Sequence, residues 1–456
     1  MRKISLLILM GLVFALPLTA QSTYILTVSP SNVQSVVDSH GLTVVKELFD
    51  GTNCVMLVTS PSANVSGVET EVESDVLVGS FEPEQRATLP ELSSLTRPTL
   101  TQSSTSILDA LPGRTLVSFF GSTVPSNYTT QTATSIIRLD DARSATHLTG
   151  SGIVAIIDTG ADPFHPALTS VLVPGFDFTR DIPGFSELAD LPSAIAAQLQ
   201  QSSTSILDAQ NTLQLNSSAM AILNQSSTSI LDQSSTSILD STLAEFGHGT
   251  MTAGIVHLVA PTAKIMPLKA FRADGSSNLS DIIRAIYYAA NNGANVVSMS
   301  FSLGEPSPGL QAAVQYALSK NVIMIASAGN DGMKTLVYPA SYNGVQGIGS
   351  TTNNDLRSAF SNFGSGVVTF AAPGEGVVTT FPGANYAAGW GTSFSAPMVA
   401  GAAALVLQAH PASKPGDVTN ALSKTRQIND MGYGRIDLYQ SLVNVVGNNG
   451  NAGSGR

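Results

Sequence analysis

Three short motifs carry an acid, a base and a nucleophile, in that order along the chain. Asp158 ends the apolar run GIVAIID, His248 lies between two glycines in FGHGT, and Ser393 comes directly before an apolar run in GTSFSAP. A serine hydroxyl is a weak nucleophile, which needs a base to take its proton and an acid to orient that base. Together the motifs predict nucleophilic acyl-transfer chemistry, with Ser393 attacking, His248 as the base and Asp158 as its partner.

Each motif has an ordinary alternative when it is taken alone. An acid at the end of a strand, such as Asp158, also caps helices or binds a metal or a ribose. A lone histidine is more often structural or on the surface, and Ser393 or Ser395 could be no more than a helix N-cap. The order Asp, His, Ser favours the catalytic interpretation, because it distinguishes one lineage of serine hydrolases from those built on other folds.

The elements around the motifs would bring these side chains together. From about residue 126 to 443, apolar strand-like runs alternate with helical segments, which predicts an α/β fold. Asp158 follows a strand, and ligands meet open parallel sheets at the carboxyl ends of their strands. Ser393 begins a helix of small residues, whose free N–H groups and positive dipole end would stabilise negative charge beside it.

The motifs resemble those of the subtilisin-like serine endopeptidases, the subtilase family. The resemblance rests on IIDTG, GHGT and GTSFSAP, and extends to GANVVSMS (293–300), ASAGN (326–330) and GYGRIDL (432–438). It covers about residues 130–443. It implies an α/β fold with a mostly parallel sheet flanked by helices, and a serine endopeptidase that cleaves protein or peptide substrates through an acyl-enzyme.

The resemblance also assigns roles to residues outside the three motifs. Asn330 takes the position of the side chain that holds the oxyanion together with the Ser393 N–H, although an Asn in Gly-Asn-Asp-Gly also suits a plain turn. Ser300 to Ser302 resembles the edge that pairs with extended substrate. The substrate-binding residues implied in this way are Ser300, Phe301, Ser302, Ala328, Gly329 and Val337.

Two of these positions depart from the family, which commonly has glycine where Ser302 and Val337 stand. Their side chains would narrow the pocket for the residue before the cleaved bond, so we expect small or medium apolar residues there. Asp331, near the rim, would instead attract a basic residue. Between Gly254 and Pro261 the chain is shorter than in subtilisins, where this stretch carries a tight calcium site. We therefore expect no required cofactor and no calcium at that site; oxygen ligands elsewhere leave no recognisable spacing.

The first 20 residues have the pattern of a signal peptide. Arg2 and Lys3 precede the apolar run from Ile4 to Leu16, and Ala20 is a small residue suited to cleavage. The alternative is a membrane anchor, but the run is shorter than the roughly 20 residues that a spanning helix needs. We expect a secreted, extracellular or periplasmic protein with no membrane span once the signal is removed.

Residues 21–87 are predicted to form a small α+β domain that resembles the family's inhibitory propeptide, and so to be a partner of the enzyme. Strand-like runs occupy 24–28 and 54–58, and 33–40 has helical spacing; the segment holds nine acidic and two basic residues. Residues 88–128, rich in Ser, Thr and Pro, are interpreted as a linker that contains the maturation cleavage. The catalytic domain then spans 129–443, and 444–456 is expected to be a flexible tail.

The octapeptide QSSTSILD occurs four times, beginning at 102, 201, 225 and 233. Three copies lie in an insertion of about 182–242 between the Asp and His motifs. The insertion could be a solvated surface loop or a small stacked module that binds something. Since both of its ends must meet near the active site, it could also flank the cleft as a lid or exosite, although long loops add little entropic cost.

The overall composition excludes several classes of protein. With 21 basic residues among 456 and a net charge of −11, the chain lacks the clustered Lys and Arg of a nucleic-acid-binding protein. Its 43% hydrophobic content suffices for a buried core, and its single cysteine excludes an intramolecular disulfide and a Cys-cluster zinc site. We expect a monomer. The rival hypotheses are an inactive, protease-like binding or adhesion protein and a processing protease with one partner.

Overall fold

A computed structural model describes residues 22–49, 51, 53–62, 64–89, 115–191, 193, 220–222 and 245–452. The chain divides into two compact units, Met1–Pro83 and Glu84–Arg456. The predicted signal peptide and the octapeptide copies lie outside the described residues, as does most of the predicted insertion.

The first unit is an α+β fold, as the sequence predicted. Its four strands form one antiparallel sheet in the order β2-β3-β1-β4. The elements are β1 (Ser22–Val28), α1 (Val33–Ser39), β2 (Thr43–Phe49), β3 (Cys54–Ser60), α2 (Val65–Glu73) and β4 (Val78–Pro83). Alternate strand residues such as Tyr24, Leu26 and Val58 are buried with Val36 and Val72 of the helices. Cys54, the chain's single cysteine, lies in this core.

The second unit is built on a ten-stranded sheet in the order β10-β9-β12-β8-β14-β15-β16-β17-β21-β20. Its neighbours pair in parallel from β9 to β21, and only the two edge pairs are antiparallel. These strands are β8 (Ile153–Asp158), β9 (Phe176–Asp177), β10 (Ile182–Pro183), β12 (Lys264–Lys269), β14 (Val296–Met299), β15 (Ile323–Ser327), β16 (Val345–Thr351), β17 (Phe370–Pro373), β20 (Thr425–Arg426) and β21 (Arg435–Ile436). The central strands are apolar on both faces, which is typical of a parallel sheet covered by helices.

Smaller strands and the helices complete this unit. The remaining strands are β5 (Arg86–Thr88), β6 (Leu116–Phe119), β7 (Ser122–Pro125), β11 (Met220–Ile222), β13 (Ser276–Asn278), β18 (Val377–Phe381) and β19 (Asn385–Gly389). The helices are α3 (Ser126–Thr129), α4 (Thr132–Ile136), α5 (Leu139–Thr146), α6 (His248–Val259), α7 (Leu279–Asn291), α8 (Pro308–Ser319), α9 (Thr392–Ala409), α10 (Pro415–Leu422) and α11 (Leu438–Ala452). The α/β fold class is thereby confirmed.

Helix α9 runs through the core of the second unit. It is apolar on all sides, and such a helix is stable only when it is surrounded by protein. It packs against α6 and against strands β14 to β17. Among the described residues it is the helix long and apolar enough to cross a membrane, but 89% of that stretch is buried inside the protein.

Two predicted segments differ from what the structure shows. The interval 88–128 is not one continuous linker, because Arg86–Thr88 is a strand of the second unit and residues 116–129 form a hairpin and a helix. The interval 444–456 is not all flexible, because helix α11 continues to Ala452; Leu438, Leu442 and Val445, at helical spacing, are buried and outweigh its glycines and asparagines. At the start of the predicted insertion, Glu187, Leu188 and Leu191 are buried in the second unit, whereas Ile182 is 49% exposed.

Candidate active site

Asp158 is the last residue of strand β8 and is completely buried. Its Oδ1 and Oδ2 lie 2.8 and 3.0 Å from His248 Nδ1. The Thr159 N–H donates to Oδ1 at 2.7 Å and the Thr252 hydroxyl donates to Oδ2 at 3.2 Å. Since each of these contacts is a hydrogen bond to a carboxylate oxygen, the arrangement suits an ionised acid held in one orientation.

His248 is the first residue of helix α6 and is 4% exposed. Gly247, directly before it, has φ +92°, and a Cβ at that position would lie 2.4 Å from the Phe381 ring, so only glycine fits here. Because Nδ1 faces the Asp158 carboxylate, it carries the ring proton in the neutral imidazole. Nε2 is then left with a lone pair, as a base requires.

The surroundings of His248 make it more basic. Burial alone would lower the pKa of its imidazole, but attraction to Asp158, the hydrogen bond to Asp158, and the charges of Glu245 and Glu187 raise the pKa to about 9. The cause that prevails is the adjacent carboxylate, since it stabilises the imidazolium that forms when the ring takes a proton.

Ser393 lies in the first turn of helix α9 and is 3% exposed. The residue after it, Phe394, packs its ring 5.7 Å from the His248 ring, which places the serine in the same site. Its hydroxyl points toward the Ser300 carbonyl oxygen, at 3.4 Å. Position in a helix's first turn exposes Ser393 to unsatisfied N–H groups and the positive end of the dipole.

Ser300 holds the nucleophile's backbone in return. Pro397, four residues after Ser393, has no N–H and so cannot donate the helical hydrogen bond that the Ser393 carbonyl would otherwise accept. The Ser300 hydroxyl donates to that carbonyl at 3.0 Å instead. The predicted substrate-binding residue Ser300 therefore positions Ser393 through its side chain.

Asn330 follows strand β15 and is oriented by helix α9. Its Oδ1 accepts from both the backbone N–H and the hydroxyl of Thr392, each at 2.9 Å. A backbone N–H can only donate, so the oxygen must face Thr392 and the amide NH₂ must face the other way. This fixes a side-chain donor beside the residue that precedes Ser393.

Gly391 makes room for that amide. It has φ +142°, a conformation that L side chains rarely adopt, and a Cβ here would lie 3.2 Å from Asn330 Nδ2. A larger residue at 391 would therefore press on the amide.

A segment of the chain itself lies against the Ser300–Ser302 edge, which was predicted to pair with substrate. Strand β5 pairs antiparallel with β13, so that Ala87 lies opposite Ser277. Thr88 forms an antiparallel bridge with Ser302, and the Leu89 N–H donates to the Gly275 carbonyl at 2.9 Å. An extended segment thus lies between two backbone edges of the second unit.

The other predicted substrate-binding residues, Phe301, Ala328, Gly329 and Val337, are all buried. Phe301 is fully buried, with its ring 5.2 Å from that of Phe271. Val337 is 5% exposed, and the next residue, Tyr338, bridges Leu303. Ala328 donates its N–H to Ile348. A Cβ on Gly329 would lie 2.5 Å from Asn362 Nδ2, and its φ is +92°.

The sequence did not point to four polar residues behind the pair formed by Asp158 and His248. Thr252 was detectable, because it lies one turn after His248 on the same helix face. Thr159 lies within the IIDTG motif, but nothing in the sequence indicated its contact with Gly249. Glu187 and Lys269 gave no signal, since these contacts join segments far apart in sequence. Glu187 is 1% exposed; burial raises the pKa of its carboxyl to about 7, although hydrogen bonds from Thr159 and Thr250 oppose that change.

Nothing in the described part of the chain groups three or more His, Cys, Asp or Glu side chains into a potential metal site. Helix α6 is unbroken from His248 to Val259 and so covers most of the interval between Gly254 and Pro261. The residue types of Asp158, His248, Ser393 and Asn330 are those that acid–base and nucleophilic chemistry requires.

Comparison with known proteins places the chain in a family. Residues 150–450 match the model of the subtilase family, peptidase S8. Subtilisin BL of Lederbergia lenta is 38% identical over 209 residues, which are 44% of this chain and 76% of that protein. Thermitase of Thermoactinomyces vulgaris is 36% identical over 211 residues, covering 43% of this chain and 75% of thermitase.

A solved structure shares the fold over a longer stretch. Fervidolysin from Fervidobacterium pennivorans, described as a keratinolytic enzyme related to subtilisin, superposes with a TM-score of 0.64 at 21% identity. The match covers 92% of this chain and 61% of fervidolysin. At that identity the likeness concerns the fold, whereas the family match rests on sequence. On the family match and these sequence identities, the chain belongs to the subtilase family of serine endopeptidases.

Proposed function

We propose that this protein is a secreted, self-processing serine endopeptidase that hydrolyses peptide bonds through an Asp158–His248–Ser393 triad. The observation that carries the proposal is the buried Asp158–His248 pair, 2.8 Å apart, beside a serine in the first turn of a helix. Ser393 attacks the carbonyl of the bond to be cleaved. His248 takes the hydroxyl proton at Nε2 and returns it to the leaving amine, and water then hydrolyses the acyl-enzyme.

Asp158 and Asn330 stabilise the charges that develop in this reaction. The Asp158 carboxylate keeps the His248 proton on Nδ1 and stabilises the imidazolium. The Asn330 amide and the Ser393 N–H are proposed to hold the oxyanion of the tetrahedral intermediate, since Thr392 already orients that amide. Both donors are fixed before substrate binds, so little reorganisation is needed during the reaction.

The substrate is proposed to bind as an added strand. The chain's own Arg86–Leu89 segment supports this, because it pairs with Ser276–Asn278 on one side and bridges Ser302 on the other. Main-chain hydrogen bonds of this kind recognise any extended peptide, and side-chain pockets add preference. A small or medium apolar residue before the cleaved bond remains our prediction, because Ser302 and Val337 both carry side chains.

The same segment supports self-processing. Residues 84–89 follow directly after the small unit that ends at Pro83, and they occupy the edge proposed for substrate. Glu84 strengthens this hold, since its Oε1 accepts from the N–H and hydroxyl of Ser280 at the start of helix α7, at 3.0 and 2.9 Å. We propose that residues 21–87 inhibit the enzyme until a cut beyond Leu89 and before Leu116 releases it.

Secretion, a monomeric state and independence of calcium complete the proposal. The first rests on the N-terminal pattern and the family membership. Independence of the tight calcium site rests on the uninterrupted helix α6.

The test compares wild type with Ser393→Ala, expressed at full length. Wild type is expected to lose its N-terminal region, seen by mass, and to react covalently with a serine-directed fluorophosphonate. Ser393→Ala should stay at full length and unlabelled. If wild type is also unlabelled after an added protease has removed its N-terminal region, the proposed activity is wrong and the rival, a protease-like binding protein, is favoured.

A further inference from the structure

A single turn of 3-10 helix, Glu187–Asp190, lies at the start of the insertion and is unusually buried for its composition. It contains two acids, yet Glu187 is 1% exposed and Leu188 lies in the core with Leu191. Backbone hydrogen bonds anchor it to the segment after Asp158: the Ala161 N–H donates to Phe185, and the Glu187 N–H donates to Ala161. The turn is therefore an integral part of the second unit.

The Glu187 carboxylate accepts hydrogen bonds from the two segments that carry the acid and the base of the triad. From the Asp158 side, the Thr159 hydroxyl donates to Oε1. From the His248 side, the N–H groups of Gly249 and Thr250 donate to Oε1 at 2.9 and 3.3 Å, and the Thr250 hydroxyl donates to Oε2 at 2.5 Å. One buried side chain thus joins both segments.

These contacts provide acceptors for the backbone N–H groups at the start of helix α6. The first N–H groups of a helix have no partner within it, and the residue before His248 is a glycine, which has no side chain to cap them. Glu187, 62 residues before Gly249, supplies the acceptor from another part of the chain. A negative charge at this end also interacts favourably with the helix dipole.

A second set of ionic contacts fixes the turn from behind. Lys269, fully buried, donates to the Asp190 carboxylate at 2.7 Å and to the carbonyls of Thr159 and Phe271 at 2.9 and 2.8 Å. Arg180 pairs with Asp177 at 2.8 Å and also contacts Asp190. Because the buried ammonium and carboxylate satisfy each other, the turn has little freedom to move.

We propose that Glu187 is a positioning residue of the triad, which clamps the Asp158–Thr159 turn to the start of helix α6 and so sets the orientation and basicity of His248. The inference rests on the proposed catalytic function of Asp158, His248 and Ser393. Glu187 contacts no reacting atom and acts through Thr159, Gly249 and Thr250. The charged groups that act on Glu187 are Asp158 and Lys269, and Lys269 also pairs with Asp190 of the same turn. His248, on which Glu187 acts, also faces Asp158 and Glu245.

The test compares Glu187→Ala, which removes the clamp, with Glu187→Gln, which keeps its shape and removes its charge. The matched control is Asp417→Asn, since Asp417 accepts from the Lys414 N–H at the start of helix α10, and neither residue belongs to the site. Each protein is matured with a trace of wild-type enzyme and assayed on a chromogenic peptide across pH, and thermal unfolding is measured alongside.

Glu187→Ala is expected to lower kcat about 10- to 100-fold with KM unchanged. A displaced His248 is no longer aligned to take the Ser393 proton, whereas the residues that contact substrate stay in place. In Glu187→Gln, kcat should fall less, and the acid limb of kcat/KM should move to lower pH, because a negative charge near the imidazolium is lost. Asp417→Asn should change neither. Wild-type kcat and an unmoved acid limb in Glu187→Ala would overturn the proposal, as would the same kinetic loss in Asp417→Asn.

Two further measurements keep the inference testable if Glu187→Ala does not fold or the enzyme proves inactive. Thr250→Val removes one donor to Glu187 and should show the same kinetic changes in smaller measure; wild-type kinetics would count against the clamp. The Nδ1 proton resonance of His248 reports its titration without turnover, and its midpoint should fall in Glu187→Gln. If the proposed activity is wrong, wild type itself will be inactive. If only this inference is wrong, wild type will be active and the Glu187 variants will behave as wild type does.

Discussion

Ser300→Ala tests how the fold holds its nucleophile. Pro397 leaves the carbonyl of Ser393 without a helical donor, and the Ser300 hydroxyl, 1% exposed as a residue, takes that place at 3.0 Å. Removing the hydroxyl leaves a buried carbonyl without a hydrogen bond. Such a group costs about 1–3 kcal/mol of unfolding free energy, which for a domain of roughly 300 residues corresponds to a fall in Tm of about 1.5–5 °C.

The measurement is thermal unfolding of proteins inactivated with a fluorophosphonate, so that autolysis does not contribute. Ser298 offers a matched control two residues earlier on strand β14. Its hydroxyl is equally buried but has no hydrogen-bond partner among the described residues. Ser298→Ala should therefore leave Tm unchanged or raise it slightly, although it deletes the same atom.

Pro397→Ala provides a second test, because it restores an N–H that can donate to the Ser393 carbonyl. In that background Ser300→Ala should cost about 1 kcal/mol less than in wild type, which a double-mutant cycle measures as a coupling energy. Equal costs in the two backgrounds, or equal effects of Ser300→Ala and Ser298→Ala, would refute the reasoning.

Four further outcomes are expected. Asn330→Leu should lower kcat by about 10²–10³, the magnitude known for such a donor in subtilisin itself, with KM little changed; a loss confined to KM would contradict the oxyanion role. The acid limb of kcat/KM should have its midpoint above 6.5, since His248 must be neutral to act as a base and its pKa is raised to about 9; a midpoint below 6.5 in a pH–rate profile would contradict this. Deleting residues 182–242 should abolish peptide hydrolysis, because Glu187 and Asp190 are lost with the insertion. Deleting only 225–240, which contains two octapeptide copies, should leave kcat/KM within about twofold, since the entropic cost of loop closure depends weakly on loop length. Chelation of divalent cations with EDTA should leave Tm of the mature enzyme unchanged, and a large fall would show a calcium site elsewhere in the chain.

The sequence predicted much of the second unit because its signals are local. The apolar run that ends in Asp158 is a strand, the small-residue run after Ser393 is a helix, and both lie in an α/β fold. Strands β1 and β3 and helix α1 of the first unit were predicted for the same reason. Local composition failed where burial decides the structure. Helix α11, with Leu438, Leu442 and Val445 buried, continues into residues that were predicted to form a flexible tail.

The candidate site divides in the same way. The sequence alone determined the identities and order of Asp158, His248 and Ser393, because each of these motifs consists of residues that are adjacent in the sequence. Only the tertiary structure decided which contacts support them. The Ser300 hydroxyl donates to the Ser393 carbonyl, the Thr392 N–H orients the Asn330 amide, and the Glu187 carboxylate caps the helix that begins at His248. Each of these contacts joins segments 62 to 93 residues apart. A hydrogen bond between distant segments depends on how strands and helices pack, and no periodicity or spacing along the chain records that packing.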